Sequence, residues 1–263
     1  MKAINLATLQ AMKTAGQKFA VVTAYDASFA RLGELAGIEV LLVGDSLGNV
    51  VLGYDSTVPV TMDDMAHHTR AVARGNSKSL IIADLPFMAY ANELQALDNA
   101  AVLMQAGAHM IKLEGGAWLE ETVHLLAERG IPVCGHLGLT PQSVHKLGGY
   151  RVQGKDEEAA AQLLNDALLL QDAGADLLVL ECVPSALGAQ ISAALAIPVI
   201  GIGAGVDTDA QVLVIYDLLG ISPRQPRFSK NFLAGTDGVQ GALEAFASAV
   251  RSGRFPEPEH SFK

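Results

Sequence analysis

The sequence predicts an α/β fold of the (β/α)8 barrel type, and three observations lead to this prediction. Short apolar runs rich in β-branched residues alternate with Ala- and Leu-rich helical segments along the chain. Eight such units fit into 263 residues, which is the size of one barrel domain. The runs are apolar at nearly every position, as in parallel strands buried on both faces. We therefore expect a single barrel domain over residues 1–263.

The predicted elements follow one another in a regular order. The first twenty residues lack the apolar core of a signal peptide and favour a short amphipathic N-terminal helix. Strands are predicted at 19–25, 40–46, 79–86, 109–116, 131–138, 176–183, 197–205 and, least distinctly, 212–220. Helices are predicted at 27–36, 62–74, 92–106, 117–129, 156–173 and 185–195. Glycines just past several helix ends support these boundaries.

An open, doubly wound sheet is the structural alternative to a barrel. A dinucleotide-binding sheet of that kind carries a GxGxxG motif after its first strand, and this chain has none there. The stretch "GIGAG" at 201–205 has a different spacing and comes late in the chain. Its backbone can approach a phosphate, but close packing at the rim of a barrel explains its glycines equally well.

Composition excludes several classes of function. The chain has 18 Lys and Arg against 28 Asp and Glu, a net charge of −10, so nucleic acid and anionic membranes are poor partners. The uncharged stretch 182–206 is interrupted by Pro184 and Pro198 and is predicted to be a buried helix and strand rather than a membrane span. Cys134 and Cys182 lie in apolar runs, which indicates reduced core residues in a cytosolic protein.

Polar side chains stand at the carboxyl ends of five successive predicted strands. They are Asp45 and Ser46 on the second strand, Asp84 on the third, Lys112 and Glu114 on the fourth, His136 on the fifth and Glu181 on the sixth. A barrel gathers all these strand ends on one face. Side chains two positions apart in a strand point the same way, so Lys112 and Glu114 should face the same pocket. The sequence therefore predicts one polar site at the mouth of the barrel.

Three of these residues, Asp45, Asp84 and Glu114, predict a metal site. Bare carboxylates from adjacent strands repel one another, and a hard divalent cation relieves that repulsion. Ligation by oxygen atoms and water suits Mg²⁺ better than Zn²⁺. Lys112 and Ser46 would then hold the carboxylate of a substrate.

The remaining acid, Glu181, is not needed for a metal and is a candidate base. A carboxylate that emerges from an apolar strand is expected to have a raised pKa, which suits proton abstraction. The set predicts a metal-bound keto acid that is deprotonated to an enolate, with the metal bearing the developing oxyanion charge.

Each residue also has a structural interpretation. An isolated Asp at a strand end caps the following helix more often than it binds a metal. Lys112 can pair with Glu114, His136 can be a hydrogen-bonded structural histidine, and Glu181 can belong to an ion pair. Matching positions on five successive strands are hard to explain by packing alone, so the pattern as a whole favours a functional site.

Long motifs surround these residues along nearly the whole chain. They are "VGDSLGNVVLGYDSTVPVT", "ADLPFMAY", "IKLEGG", "VCGHLGLTPQS", "GGYRVQG", "LLVLECVP", "IPVIGIGAG" and "FSKNF". Together, from about Phe19 to the terminal "EHSF", they resemble the ketopantoate hydroxymethyltransferase family. The resemblance implies a barrel of the phosphoenolpyruvate/pyruvate superfamily and the first committed step of pantothenate synthesis.

The resemblance also implies the reaction and the roles of the site residues. A hydroxymethyl group would pass from 5,10-methylenetetrahydrofolate to 3-methyl-2-oxobutanoate, giving 2-dehydropantoate and tetrahydrofolate. Asp45, Asp84 and Glu114 would bind Mg²⁺, with Glu114 acting through a water. Asp45, Ser46, Asp84 and Lys112 would contact the keto acid, His136 would lie in the pocket and Glu181 would accept the proton. The resemblance also implies that the protein is a homodecamer.

Two other classes of function stay open at this point. A different Mg²⁺ enzyme of the same superfamily, such as a C–C lyase or a phosphonate mutase, would keep the metal carboxylates. Such lyases present a catalytic cysteine loop, and neither Cys134 nor Cys182 has that setting. A non-catalytic protein that binds folate or another small molecule is the second alternative.

Overall fold

The computed structural model describes residues 3–263, and its eight parallel strands form a closed barrel. The strands are β1 Phe19–Thr23, β2 Val40–Val43, β3 Leu80–Asp84, β4 Met110–Glu114, β5 Val133–Gly138, β6 Leu177–Glu181, β7 Val199–Ile202 and β8 Ala210–Leu213. Each strand pairs with the next in the chain, and Phe19 of β1 lies opposite Ala210 of β8. The predicted barrel is confirmed, and the open sheet is excluded.

Helices connect most successive strands and surround the barrel. They are α1 Leu6–Thr14, α2 Ala27–Leu35, α3 Leu47–Val50, α4 Met62–Gly75, α5 Glu93–Gln105, α6 Glu120–Glu128, α7 Val144–Leu147, α8 Glu157–Asp172, α9 Ser185–Ala194, α10 Ile215–Leu218 and α11 Gly238–Arg251. Short 3₁₀ turns lie at Ala117–Leu119, Pro141–Ser143 and Pro258–His260. The six predicted interstrand helices are confirmed, the fourth as a 3₁₀ turn followed by α6.

Alternation along the strands divides the core into two layers. Phe19 and Val21 of β1 belong to a cluster inside the barrel, whereas Ala20 and Val22 face the surrounding helices. This is the two-residue period of a strand that is buried on both faces. Leu9 of α1 belongs to the inner cluster, so the predicted N-terminal helix is confirmed and contributes to the barrel interior; residues 1–2 lie outside the described part of the chain.

The predicted last strand, 212–220, is misplaced. β8 covers Ala210–Leu213, and the second half of the apolar run turns into α10. The polar residue Gln211 concealed the start of the strand, because its amide is buried and donates hydrogen bonds to the Gly205 carbonyl and to Thr208 Oγ1. The apolar run alone does not distinguish a short strand from a buried helix.

The helix α11 was absent from the sequence-based prediction. Its buried face is formed by Ala242, Leu243, Phe246, Ala247 and Val250, which is the spacing of an amphipathic helix. Arg251 at its end donates to Glu39 Oε1 at 2.6 Å. The other Glu39 oxygen accepts from the backbone N–H of Ala20 in β1, so this contact fixes α11 to the first strand.

The uncharged stretch 182–206 is confirmed as a buried helix and strand, α9 and β7. No helix in the described residues is long and apolar enough to cross a membrane. Gly203 and Gly205 have φ of 62° and 87°, and a Cβ there would approach Phe262 and Ser185 to 2.9 and 2.7 Å. Close packing therefore accounts for these two glycines of the "GIGAG" motif.

Candidate active site

The predicted polar residues converge at the carboxyl end of the barrel. The strand register sets Asp84 opposite Lys112 and Glu114 opposite His136. Asp45, Asp84, Lys112, Glu114 and His136 are all buried. On the sixth strand, the Glu181 side chain keeps 12% of its surface exposed, so it lies at the open side of the group.

Lys112 supplies positive charge to the centre of this group. Its Nζ lies 3.1 Å from Asp84 Oδ2, 3.7 Å from Glu114 Oε1 and 3.2 Å from His136 Nδ1. Burial alone lowers the pKa of Lys112, but the surrounding carboxylates, Asp84 first, outweigh it and raise that pKa above its ordinary value. A lysine held in its charged form can bind a carboxylate, but it is not a nucleophile.

The acids exceed the positive charge available to them. Burial, together with the nearby Glu114, raises the pKa of Asp45 to about 7. Burial also raises the pKa of Asp84 to about 7, although Lys112 opposes the shift. The pKa of Glu114 is raised by burial as well. The cluster is therefore costly when every acid is ionised, which is the condition under which a cation binds most favourably.

Two oxygens of the cluster lack a hydrogen-bond donor among the described residues. They are Asp84 Oδ1 and Glu114 Oε1. Each acid has its second oxygen occupied: Asp84 Oδ2 accepts from the Asp45 backbone N–H at 3.0 Å, and Glu114 Oε2 accepts from the Gln142 backbone N–H at 3.0 Å. A buried carboxylate oxygen without a donor is unfavourable, so these two positions suit a water or a metal ion.

His136 lies between the acid cluster and Glu181. Its Nδ1 is 3.2 Å from Lys112 Nζ, and its Nε2 is 3.3 Å from Glu181 Oε2. Burial, together with Lys112, lowers the pKa of His136 to about 4, so the ring is neutral at pH 7. Nδ1 also lies 3.3 Å from Glu114 Oε1, so the neutral ring can either accept from Lys112 at Nδ1 or donate from Nδ1 to Glu114. Burial raises the pKa of Glu181, as expected of a base.

The capping interpretation does not hold for the two aspartates. Asn92 caps the helix that follows Asp84, and Ser46 occupies the cap position that follows Asp45. Ser46 itself makes no side-chain capping bond there. Its Oγ lies 2.9 Å from the hydroxyl of Tyr25 instead, so Ser46 is held by a residue from the segment that follows β1.

Sequence reasoning missed the glutamine that ties the acids together. Gln142, in the 3₁₀ turn after β5, donates from Nε2 to Asp45 Oδ2 at 2.8 Å. Its Oε1 accepts from the Tyr90 hydroxyl at 2.5 Å. Gln142 is neither ionisable nor at a strand end, so the strand-end pattern had no means of selecting it. The sequence feature that could have identified Gln142 is its position inside the motif "VCGHLGLTPQS".

A second acidic group lies near the C-terminus. Glu257, Glu259 and His260 bring three possible ligand atoms within 4.8 Å of one another. However, Glu257 already pairs with Lys230 at 2.6 Å, and His260 Nδ1 accepts the backbone N–H of Glu257. These existing contacts give the group a structural explanation.

The fold and the residues at its carboxyl end define a class: an enzyme built on a (β/α)8 barrel, with its acid–base groups where the strands end. The family model for ketopantoate hydroxymethyltransferase matches residues 3–258. The chain belongs to this family.

Relatives of known name agree with the family over the full length. The chain is 60% identical over 261 residues to the 3-methyl-2-oxobutanoate hydroxymethyltransferase of Saccharophagus degradans, covering 99% of this chain and 97% of the relative. It is 59% identical over 263 residues to the protein of the same name from Cronobacter sakazakii, covering both chains completely.

Solved structures with low sequence identity show the same fold. 2,3-Dimethylmalate lyase, a member of the PEP mutase/isocitrate lyase superfamily, has a TM-score of 0.55 at 18% identity, over 79% of this chain and 80% of that one. Phosphonopyruvate hydrolase in complex with oxalate and Mg²⁺ has a TM-score of 0.61 at 14% identity, over 80% of each chain. These structures share the barrel fold of this chain.

Proposed function

We propose that this enzyme transfers a hydroxymethyl group from 5,10-methylenetetrahydrofolate to 3-methyl-2-oxobutanoate, giving 2-dehydropantoate and tetrahydrofolate. Family membership over the whole chain supports the reaction. The observation that carries it is that the strand-end residues of five successive strands, β2 to β6, gather at the carboxyl end of the barrel. Three acids, Asp84, Glu114 and Glu181, lie in direct contact with Lys112 or His136. A barrel without this chemistry has no need for a buried excess of acids.

Asp45, Asp84 and Glu114 would hold Mg²⁺. Their donors are hard oxygens, and Asp84 Oδ1 and Glu114 Oε1 are buried without a hydrogen-bond donor. The oxygens of the three acids do not all lie within 4.8 Å of one another, so ligation by all three at once requires a side-chain movement or a bridging water. When bound, Mg²⁺ supplies positive charge that stabilises the negative charge developing on the ketone oxygen of the substrate.

The residues of the chain bind and deprotonate the keto acid. Lys112, charged and buried, and Ser46, held by Tyr25, would bind the substrate carboxylate. Glu181 would take the proton from C3, and the electron pair left behind delocalises toward the ketone. C3 then forms its new bond to the methylene carbon carried by the folate, and the two bonds from that carbon to the folate nitrogens break. Water supplies the hydroxyl group, and the proton taken from C3 and the second proton of the water end on the two folate nitrogens. His136, neutral and facing Glu181, would keep the base in place.

An assay for the product tests the proposed reaction. The purified protein with Mg²⁺, methylenetetrahydrofolate and 3-methyl-2-oxobutanoate should form 2-dehydropantoate, measured by mass spectrometry. Cleavage or rearrangement of the keto acid without folate would favour a lyase or mutase of the same superfamily. Binding of both substrates without turnover would favour a non-catalytic protein.

Borohydride tests the role assigned to Lys112. Because the surrounding acids keep Lys112 charged, no imine should form with the keto acid, and borohydride should leave activity unchanged. Permanent inactivation with a mass increase on Lys112 would contradict this role and replace the metal-dependent account with Schiff-base chemistry.

We also propose that the protein is a homo-oligomer, most simply the decamer that the family resemblance implies, working in the cytosol. Support for assembly comes from the resemblance and from apolar side chains left exposed on the helices, such as Leu35 and Leu94. Sedimentation equilibrium should give a mass near ten copies of the 27.5 kDa chain. A mass near one copy would contradict assembly.

A further inference from the structure

One buried glutamine connects acids that come from different strands. Gln142 is 5% exposed. Its side-chain amide and its backbone N–H form hydrogen bonds with residues in and around the site. Its Nε2 donates to Asp45 Oδ2 at 2.8 Å and to the Leu85 carbonyl at 2.9 Å. Its backbone N–H donates to Glu114 Oε2 at 3.0 Å. The side chain therefore holds the acid after β2, and the main chain of the same residue holds the acid of β4.

The orientation of this amide follows from its partners. A carboxylate and a backbone carbonyl can only accept, so the NH₂ group of Gln142 must face Asp45 and Leu85. The oxygen then faces the hydroxyl of Tyr90, at 2.5 Å. The Tyr90 hydroxyl also lies 3.3 Å from the backbone N and O of Glu114. Tyr90 thus supports Gln142 and the strand that carries Glu114 together.

These contacts decide which oxygens stay free. Gln142 occupies Asp45 Oδ2 and Glu114 Oε2, and it leaves Glu114 Oε1 without a donor. We propose that Gln142 is a positioning residue that sets how Asp45 and Glu114 present their remaining oxygens to a divalent cation. The inference rests on the metal site of the proposed function. It adds a residue to that site that is neither a ligand nor in contact with a reacting atom.

The physical need for such a residue is the repulsion among the acids. Carboxylates in a buried cluster rotate away from one another when nothing holds them, and this rotation disperses the oxygens that a cation must gather. A donor that binds one oxygen of each acid fixes both rotations before the cation arrives. Losing a supporting contact of this kind typically weakens metal binding about 10–100-fold.

Binding of Mn²⁺ to the full-length, metal-free protein tests the inference without using turnover. The variant is Gln142→Met, which keeps the length of the side chain and removes its hydrogen bonds. Free Mn²⁺ is followed by electron paramagnetic resonance during titration. We expect the dissociation constant to rise about 10–100-fold relative to the wild type.

Gln211→Met is the matched control. Gln211 is 2% exposed, and its Nε2 also donates two buried hydrogen bonds, to the Gly205 carbonyl and Thr208 Oγ1. Both variants should melt at a lower temperature, since each loses buried hydrogen bonds. Mn²⁺ affinity should fall in Gln142→Met and stay at the wild-type value in Gln211→Met. An equal loss in both variants would mean that Gln142 acts through general stability, which overturns the inference.

Tyr90→Phe serves as a second variant if Gln142→Met does not fold. It keeps the ring and removes the hydroxyl that supports Gln142, so Mn²⁺ affinity should again fall, by a smaller factor. Unchanged Mn²⁺ affinity in whichever of these variants folds overturns the positioning role but leaves the metal site of the proposed function standing. Failure of the wild type to bind Mn²⁺ overturns the positioning role together with the metal site of the proposed function.

Discussion

Two pairs of aspartate and lysine, one half-buried and one buried, stand in different regions of the barrel, and they differ in the hydrogen bonds that the acid accepts. Asp209, just before β8, accepts on a single oxygen from Lys13 Nζ at 2.6 Å, Ser192 Oγ at 3.0 Å and the Val199 backbone N–H at 2.8 Å. Asp84, at the carboxyl end of β3, pairs with Lys112 at 3.1 Å but leaves Oδ1 without a donor among the described residues.

The difference separates a structural acid from one available for chemistry. Asp209 receives donors from α1, α9 and β7, and it therefore joins three elements near one end of the barrel. Asp84 shares its lysine with Glu114, and burial raises its pKa to about 7. An acid with several donors stabilises the fold, whereas a buried acid that shares its lysine and keeps one oxygen without a donor gains more from a bound cation.

The largest expected effect concerns the proposed base, Glu181. With Mg²⁺ in deuterated water, the wild type should exchange the C3 proton of 3-methyl-2-oxobutanoate without folate. Glu181→Gln keeps the shape and removes the basicity, so exchange should fall by about 10²–10⁴, measured by NMR of the C3 proton. Asp209→Asn should exchange at the wild-type rate. A wild-type rate in Glu181→Gln would place the base elsewhere, with His136 the next residue to test.

Replacing each of the two aspartates should change the unfolding free energy of the metal-free protein differently. Asp209→Asn replaces a carboxylate that accepts three hydrogen bonds, and the metal-free protein should lose about 1–3 kcal/mol of unfolding free energy. Asp84→Asn relieves repulsion in the acid cluster, so the metal-free protein should be equally or slightly more stable. Urea denaturation of both variants measures the difference. A large loss in Asp84→Asn would show that Asp84 is structural after all.

The smallest expected effect is the pH dependence of metal-free stability. Asp45 and Asp84 have folded pKa values raised to about 7, above the unfolded value near 4. The folded state therefore binds more protons than the unfolded state between these values, and stability falls as the pH rises through them. His136, with its pKa lowered to about 4, has the opposite effect, mainly below about pH 6.5.

Above about pH 6.5, Asp45 and Asp84 therefore set the pH dependence of the unfolding free energy. The unfolding free energy of the metal-free wild type should fall by ~1 kcal/mol between about pH 6.5 and 8. Asp84→Asn should show a smaller fall, because one of the raised acids is gone, and Asp209→Asn should keep the full dependence. Thermal melts at several pH values would check this, and a rise in wild-type stability over the range would contradict the assigned pKa shifts.

The sequence predicted the strand ends better than the contacts between them. Asp84, Lys112 and Glu114 could be placed because a parallel barrel aligns the ends of all its strands, so position along the chain translates directly into position in space. Gln142 lies beyond a strand end in a turn, and its contacts to Asp45 and Glu114 depend on how that turn folds back. The spacing of apolar residues in a sequence does not specify how such a turn folds back onto the strand ends.

The boundaries of β8 show the same limit. The sequence does not identify Gln211 as part of a buried strand, because its hydrogen-bond partners, Gly205 and Thr208, come from the preceding loop, whose shape the sequence pattern does not specify. The following apolar residues could form a strand or a helix, and the turn to α10 is fixed when Thr23 of β1 accepts the backbone N–H of Ile215. That contact spans most of the chain.

The pairing of β1 with β8 also sets an order of events during synthesis. Phe19 emerges from the ribosome early, while its partner Ala210 emerges near the end of the chain. Until then β1 has an unpaired edge on one side, which is the kind of edge that invites aggregation. The site residues all lie on β2 to β6 or the segments after them, so they can meet before closure. Translation thus supplies the strand that closes the barrel only after every strand that carries a site residue.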